Sequence, residues 1–470
     1  VSRFAVVAAA VAVLGAALVA RPVPSASAAP VPAMHLQTPL LSMRRVPDLL
    51  ARTIGQLRLA PVLDHALADP SLGPAASNSC LLVQQGAAQL FSHRPTSPMI
   101  PGSTLKLLTA TAALDKLGPQ TRLSSDVRAD HPPAAGVVAG NLYLVGGGDP
   151  LLRTADYVAG LHYKELLYTH LEDLAQAVRA AGVTRVTGGV IGDESRYDSQ
   201  RYVPTWKPGY ASAGDVGPLS ALQVNDGFQA AKPRVVPAAN PPAQAAATFT
   251  ALLKAHGVAV DAGPSAGQAP AGAAEVTSLK SAPLTDVLAE VLRQSDNNGA
   301  ELVTKELGRQ FGGAPTTAAG VAVIRADLAA AGLPVDQLTL VDGSGLDRAD
   351  RVSCQLLVAA LQRGGPTGPL GSGLPIAGQT GTLQDRLGKT SAAGRLHAKT
   401  GTLDAVSGLA GFVVAPPGAP PGSAITFVCL FNGNPSRGAA QAVEDRIGAL
   451  LAQFPDAPPV DSLAALPAVP

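Results

Sequence analysis

The chain has 470 residues, enough for two or three domains and a sizeable core. With 35 basic against 34 acidic side chains its net charge is +1, and no basic block stands out, which argues against nucleic acid as a partner. The histidines are scattered and the three cysteines lack metal-ligand spacing, so no metal and no other cofactor is expected.

Arg3 precedes an apolar run from Phe4 to Ala20, followed by Pro22, Pro24 and Ala26-Ser27-Ala28. This order predicts a signal peptide over residues 1–28, hence an exported, extracytoplasmic protein. The alternative is an uncleaved anchor with loose membrane association. Residues 29–47 read as a flexible leader. Residues 46–68 carry helical spacing, with Pro61 as a potential break. A strand at 80–84 and its hairpin partner at 87–93 turn at Gly86. Pro101-Gly102-Ser103-Thr104-Leu105-Lys106 then opens an apolar helix that runs to Leu117 and stops at Gly118.

Beyond residue 120 short strands alternate with Gly and Pro breaks: 136–145, a sharp turn at 146–150, a helix over 163–181, and a strand pair over 183–191. An irregular stretch covers 193–226, followed by a helix at 245–256 and a strand at 258–260. Residues 120–283 read as an inserted region of two small domains. Helices return at 283–294, 299–307 and 316–331. A strand at 338–342, a helix at 353–361, strands at 396–400, 409–414 and 424–431, and a closing helix at 439–454 follow. Residues 455–470 read as a disordered tail.

Three short motifs carry chemistry. Ser103 and Lys106 fall one turn apart on one helix face, a hydroxyl and an amine that can act as nucleophile and base. Alone this pattern is ordinary capping. Ser295-Asp296-Asn297 lies between two helices. Ser295 can relay a proton between Lys106 and a leaving group. The Asn297 carboxamide can hold Lys106 and donate to a substrate amide carbonyl. Lys399-Thr400-Gly401-Thr402 ends a strand. Lys399 and the hydroxyls of Thr400 and Thr402 suit a carboxylate, and Gly401 would let substrate backbone lie close along the strand. The backbone N–H groups of Ser103 and Thr402 can form an oxyanion hole. Gln379-Thr380-Gly381-Thr382 looks like the third motif but lacks its lysine.

Ser-x-x-Lys, Ser-x-Asn and Lys-Thr-Gly in this order resemble the penicillin-recognising serine enzymes, the penicillin-binding proteins and serine β-lactamases. The long separation of Ser103 from Ser295, with Asn141-Leu142-Tyr143-Leu144, Gly147-Gly148-Asp149-Pro150 and Asp342-Gly343-Ser344-Gly345-Leu346, narrows the resemblance. It is similar to the low-molecular-mass class C D-alanyl-D-alanine carboxypeptidases, serine peptidase family S13, over about residues 50–452. The resemblance implies a multi-domain α/β protein with a transpeptidase-type fold, helices on a five-stranded antiparallel sheet, with inserted smaller domains. The penicillin-binding domain is then discontinuous, 48–119 and 284–454.

The implied activity is serine-type D-Ala-D-Ala carboxypeptidase on peptidoglycan stem peptides, with an acyl-enzyme on Ser103 that β-lactams also form. A DD-endopeptidase cutting cross-links, or a non-catalytic cell-wall binding module, stays open. Lys106 is the expected base, though a route through Ser295 also stays open. Neutralising an ordinary lysine at pH 7 costs about 4–5 kcal/mol, which burial and the charge of Lys399 would shrink. No counterpart of the deacylating glutamate of some β-lactamases is found, so slow release of penicillin is expected. The resemblance also makes Leu346 and Arg348 candidates for contact with the peptidoglycan side chain. On this fold the first and last strands are neighbours, which suggests a Cys80–Cys429 disulfide and leaves Cys354 unpaired and buried.

Overall fold

A computed structural model describes residues 35–36, 38–161, 166–230, 235–416, 418–419, 422–433, 436–466 and 468–469. The signal segment expected at 1–28 lies outside them. Five strands form one antiparallel sheet: β1 (Ser79–Gln85), β2 (Ala88–His93), β3 (Leu396–Leu403), β4 (Val406–Val413) and β5 (Ile425–Asn432). Their order is β3-β4-β5-β1-β2, so the first and last strands of the chain's sheet are indeed neighbours. β4 and β5 are buried along their whole length, which is why they read as apolar runs without alternation.

Helices cover both faces. They are α1 (Pro47–Leu67), α2 (Lys106–Lys116), α3 (Leu284–Gln294), α4 (Asn297–Phe311), α5 (Thr317–Ala330), α6 (Cys354–Gly364) and α7 (Arg437–Ala452). Pro61 sits inside α1 without ending it. On one face Cys80, Leu82, Phe412, Val428 and Leu430 pack with α2 and α6. On the other, Leu81, Val83, Leu409, Phe427 and Cys429 pack with α1 and α7. Each fully buried leucine contributes about 1.5–3 kcal/mol.

Alternation across the sheet corrects the expected cysteine pairing. The register sets Cys429 beside Leu81 and Cys80 beside Leu430. Successive side chains point to opposite faces, so Cys80 and Cys429 face different cores. Cys80 is instead bonded to Cys354, and Cys429 is the free, buried thiol.

Residues 124–280 build a second sheet. Its five strands lie in the order Ser265–Ala266, Val190–Asp193, Leu142–Val145, Ser124–Ala129, Ala274–Lys280. Helices Leu171–Ala180 and Pro241–Ala255 pack on it. The stretch expected as one strand pair over 183–191 divides between sheets. Arg185–Val186 pairs in parallel with Val137–Val138 and Ala259–Val260, while Val190–Asp193 joins the larger sheet. The helix expected from 163 begins at Leu171, and residues 162–165 lie outside the described set. Apart from residues 47–51 at the start of α1, all of this falls within one compact unit, residues 52–457. In the other unit, His35–Leu36 pairs antiparallel with Ala468–Val469, and a short helix spans Val460–Leu463.

Candidate active site

The nucleophile segment is placed by a glycine. Gly102 has φ +52, and a Cβ on it would lie 3.0 Å from the backbone nitrogen of Thr402. Only glycine lets this turn rest against β3 without strain. Residues Gly102–Leu105 form a 3-10 turn, and α2 starts at Lys106. Ser103 therefore sits in the tighter turn, three positions ahead of the helix expected to begin with it. In that turn residues three apart eclipse, which brings the Lys106 amine over the serine. Lys106 Nζ donates to Ser103 Oγ at 2.9 Å, to Asn297 Oδ1 at 2.5 Å and to the carbonyl of Ser344 at 2.7 Å.

The second motif bends the chain between α3 and α4. Ser295 takes the left-handed conformation, φ +58, at the end of α3. Asp296 caps α4 by accepting from the Gly299 N–H at 3.0 Å. Asn297, the first residue of α4, faces Lys106 with its oxygen. Its amide nitrogen donates to the Asp215 carbonyl at 2.7 Å. One of the two N–H donors of the carboxamide expected to meet substrate is thus held by the protein. The inserted region is tied in twice more. Arg153 reaches Asp226 at 2.8 Å and Asp296 at 3.1 Å, and Asn298 bonds Gly217 and Gln223.

The third motif supplies a second buried amine. Lys399 Nζ donates to Ser295 Oγ at 2.9 Å and to the Thr400 carbonyl at 2.8 Å. Ser295 is thus joined to Lys399, where the sequence suggested a link to Lys106. Gly401 also serves a purpose the sequence did not suggest. A Cβ there would lie 2.6 Å from the Pro101 carbonyl oxygen and 3.0 Å from Thr104. Its bareness admits the nucleophile segment.

Ser103, Ser295, Asn297, Thr400 and Thr402 line one cleft of about 790 Å³. Residues 207–210, Ala213 and Asp215 of the inserted region form part of its wall, with Leu346, Thr382, residues 403–405 and Arg437. Leu346 lines the cleft. Arg348 does not, and its guanidinium donates to the Asp404 carbonyl at 2.7 Å. Thr382 belongs to the lysine-less look-alike motif, yet its hydroxyl pairs with Thr400 Oγ1 at 2.9 Å. Its Thr-Gly-Thr text was the signal. Lys207, Tyr210 and Asp215 lie in the irregular stretch, where no pattern marks them. Among the described residues no group of three or more His, Cys, Asp or Glu side chains is arranged to hold a metal ion.

Burial dominates the electrostatics. It pushes the Lys106 amine down to about 8, against the charges of Asp342, Asp296 and Glu301, which favour the ammonium. Burial, and then the charge of Lys106, pushes Lys399 well below the ordinary lysine range. Two buried ammonium groups repel each other, so the same repulsion opposes the charged form of either lysine.

The 342–346 turn closes the back of the site. Gly345 has φ +83, and a Cβ on it would lie 2.0 Å from the Gly102 carbonyl oxygen. Gly345→Ala must therefore push the turn off the nucleophile segment. The expected result is a loss of about 1–3 kcal/mol of stability and at least tenfold slower acylation by penicillin. Thermal unfolding and acylation kinetics check it.

The family model for the D-Ala-D-Ala carboxypeptidase 3 (S13) family matches residues 59–239 and 228–454. The chain is 32% identical to the carboxypeptidase DacB of Mycolicibacterium smegmatis, over 78% of this chain and 79% of that protein. It is 28% identical to a D-alanyl-D-alanine carboxypeptidase of Actinomadura sp. (strain R39), over 83% and 84%. Its fold matches the crystal structure of penicillin binding protein 4 (dacB) from Haemophilus influenzae, with TM-score 0.67 and 20% identity, over 80% of this chain and 98% of that one. The chain belongs to the S13 family of D-Ala-D-Ala carboxypeptidases.

Proposed function

We propose that this S13 protein is a serine-type D-alanyl-D-alanine carboxypeptidase that works through an acyl-enzyme on Ser103. One observation carries the reading: a buried amine, held by three hydrogen bonds, points one of them at the Ser103 hydroxyl in an open cleft. When Lys106 is neutral its two N–H groups stay on the carbonyls of Asn297 and Ser344, and its lone pair takes the Ser103 proton as Oγ attacks the carbonyl carbon of the terminal peptide bond. The C–O bond forms and charge gathers on the carbonyl oxygen. The N–H groups of Ser103 and Thr402 receive it, since Gly102 sets that segment against the Thr402 nitrogen. As the C–N bond breaks, a proton passes to the leaving D-alanine amine. Ser295, in the same cleft, hands its hydroxyl proton to that amine and regains one from the Lys106 ammonium, which returns Lys106 to the neutral form.

Lys399 with Thr400 and Thr402 recognises the terminal carboxylate. An approaching carboxylate offsets the burial that disfavours the Lys399 charge. Water then hydrolyses the ester. A β-lactam enters the same path and acylates Ser103. No glutamate is among the described residues lining the cleft, and the penicilloyl ester is long-lived in this reading. The substrate is peptidoglycan stem peptide ending in D-Ala-D-Ala, which places the protein outside the cytoplasm. Among the described residues no helix is long and apolar enough to cross a membrane.

Intact-protein mass spectrometry after incubation with benzylpenicillin tests the nucleophile. The parent is expected to gain one stable adduct and Ser103→Ala none, with D-alanine release from a stem pentapeptide lost in parallel. An adduct on Ser103→Ala would remove the assignment.

A further inference from the structure

We propose that Glu301 is a positioning residue for acylation: its carboxylate fixes the turn that holds the Lys106 amine, and its charge sets the pH at which that amine becomes a base. The inference rests on the reading of Lys106 as that base.

Glu301 lies on α4 and is fully buried. Its Oε1 accepts from the N–H groups of Gly343 at 2.9 Å and Ser344 at 2.8 Å. The carbonyl of that same Ser344 accepts from Lys106 Nζ at 2.7 Å. A single residue thus stands between carboxylate and amine, held at its N–H by one and at its C=O by the other. The second oxygen, Oε2, is buried with no hydrogen-bond partner among the described residues. An uncompensated carboxylate in such a place is costly, and an apolar side chain would fill the helix face without that cost.

Holding the turn does not by itself account for Glu301, because Asp342 already does so. Asp342 Oδ1 accepts from the N–H groups of Ser344 and Gly345, and Oδ2 from the Asp347 N–H and the Trp206 indole. What Glu301 adds is a further carboxylate facing the amine, beside Asp342 and Asp296. The charged groups that face Lys106 are Asp342 from the turn, Asp296 ahead of α4, Glu301 from α4 and Lys399 from β3. Burial and the Asp342 charge push Glu301 up to about 8, while its N–H donors and the Lys106 charge hold it down. Carboxyl and amine therefore titrate in one range, each favouring the charged form of the other.

Glu301→Gln keeps the acceptor and the shape and removes the charge. Acylation by benzylpenicillin would be followed from about pH 6 to about pH 10 in parent and variant. The expected result is a rising limb displaced to lower pH by on the order of half a unit, because the ammonium has lost a stabilising neighbour. A purely structural role predicts an unmoved limb, and that result in a folded, acylating variant would overturn the inference. Should the variant not fold, carboxyl carbon NMR on the parent and on Lys106→Met decides. One glutamate is expected to titrate far above the usual range and to move higher still when the lysine charge is gone. A titration indifferent to Lys106→Met would equally overturn it. Failure of the parent to acylate would sink the nucleophile reading instead, and the carboxyl titration would then judge the inference alone.

Discussion

Lys106→Met is expected to slow acylation of Ser103 by roughly 10²- to 10⁴-fold and to abolish its pH dependence, with the fold intact. The reasoning begins with burial. With its amine pushed down to about 8 by burial, roughly one Lys106 in ten is neutral at pH 7, against fewer than about one in a thousand for an ordinary lysine. The base-competent form is the deprotonated one, so the parent rate rises with pH and levels off above about 8. Methionine has no proton to accept, and the limb disappears with it. The stability sign is opposite to that of a paired surface lysine. The folded-state amine holds its proton less tightly than the unfolded one, so between about 8 and 10.5 the unfolded chain binds more protons and stability rises with pH. Below that window the buried ammonium costs on the order of 3 kcal/mol. Methionine removes this cost, which offsets the carbonyls of Asn297 and Ser344 it leaves without a donor. Stopped-flow or mass-resolved acylation across pH, with thermal unfolding alongside, checks both halves. A Lys106→Met protein that acylates at the parent rate with the same pH limb would transfer the base role elsewhere.

The sequence carries the parts of this site that depend on local spacing. Ser103 and Lys106 sit one turn apart whether the turn is 3-10 or α, so their meeting is legible even though the helix start is not. The same holds for Ser295 and Asn297 at a helix junction and for Lys399 on a strand end. Contacts made across the fold were less legible. Gly401 looked like a place for substrate backbone, and only the packing of Pro101 against β3 shows what it accommodates. The motif of Thr382 lacks a lysine, yet a hydroxyl needs no lysine to join Thr400. Residues 207–215 reach the cleft from an insert whose local text is irregular, and no periodicity announces such a wall. Arg348 was placed by its neighbours in sequence, whereas its guanidinium is engaged by the turn after β3. Nothing in the local sequence marks Glu301, because its partners are in a turn some forty residues away.

Cys354→Ser is expected to be the most destabilising single change away from the cleft, while Cys429→Ser costs about 1 kcal/mol or so. Cys80 and Cys354 are 274 positions apart, so their bond closes a very long loop of the unfolded chain. The chain-entropy argument sets the gain at about 5.6 kcal/mol, and losses of about 2–5 kcal/mol follow removal of such bonds. Unfolding of a chain this large need not be two-state, so the measured quantity is the midpoint of its first transition. The bond also has a definite place relative to the site. It joins β1 to the start of α6, and just before α6 Val352 bridges to Met99, four residues ahead of the nucleophile. Loosening α6 therefore loosens the segment that carries Ser103, and acylation should slow along with the lost stability. Non-reducing peptide mapping is the direct check, with a Cys80–Cys354 peptide pair and a Cys429 thiol that reacts only after denaturation. A Cys80–Cys429 pair would mean that β1 and β5 are out of register by one residue. Because a slip of one turns every side chain to the other face, it would also exchange the two cores that α2 and α7 cover.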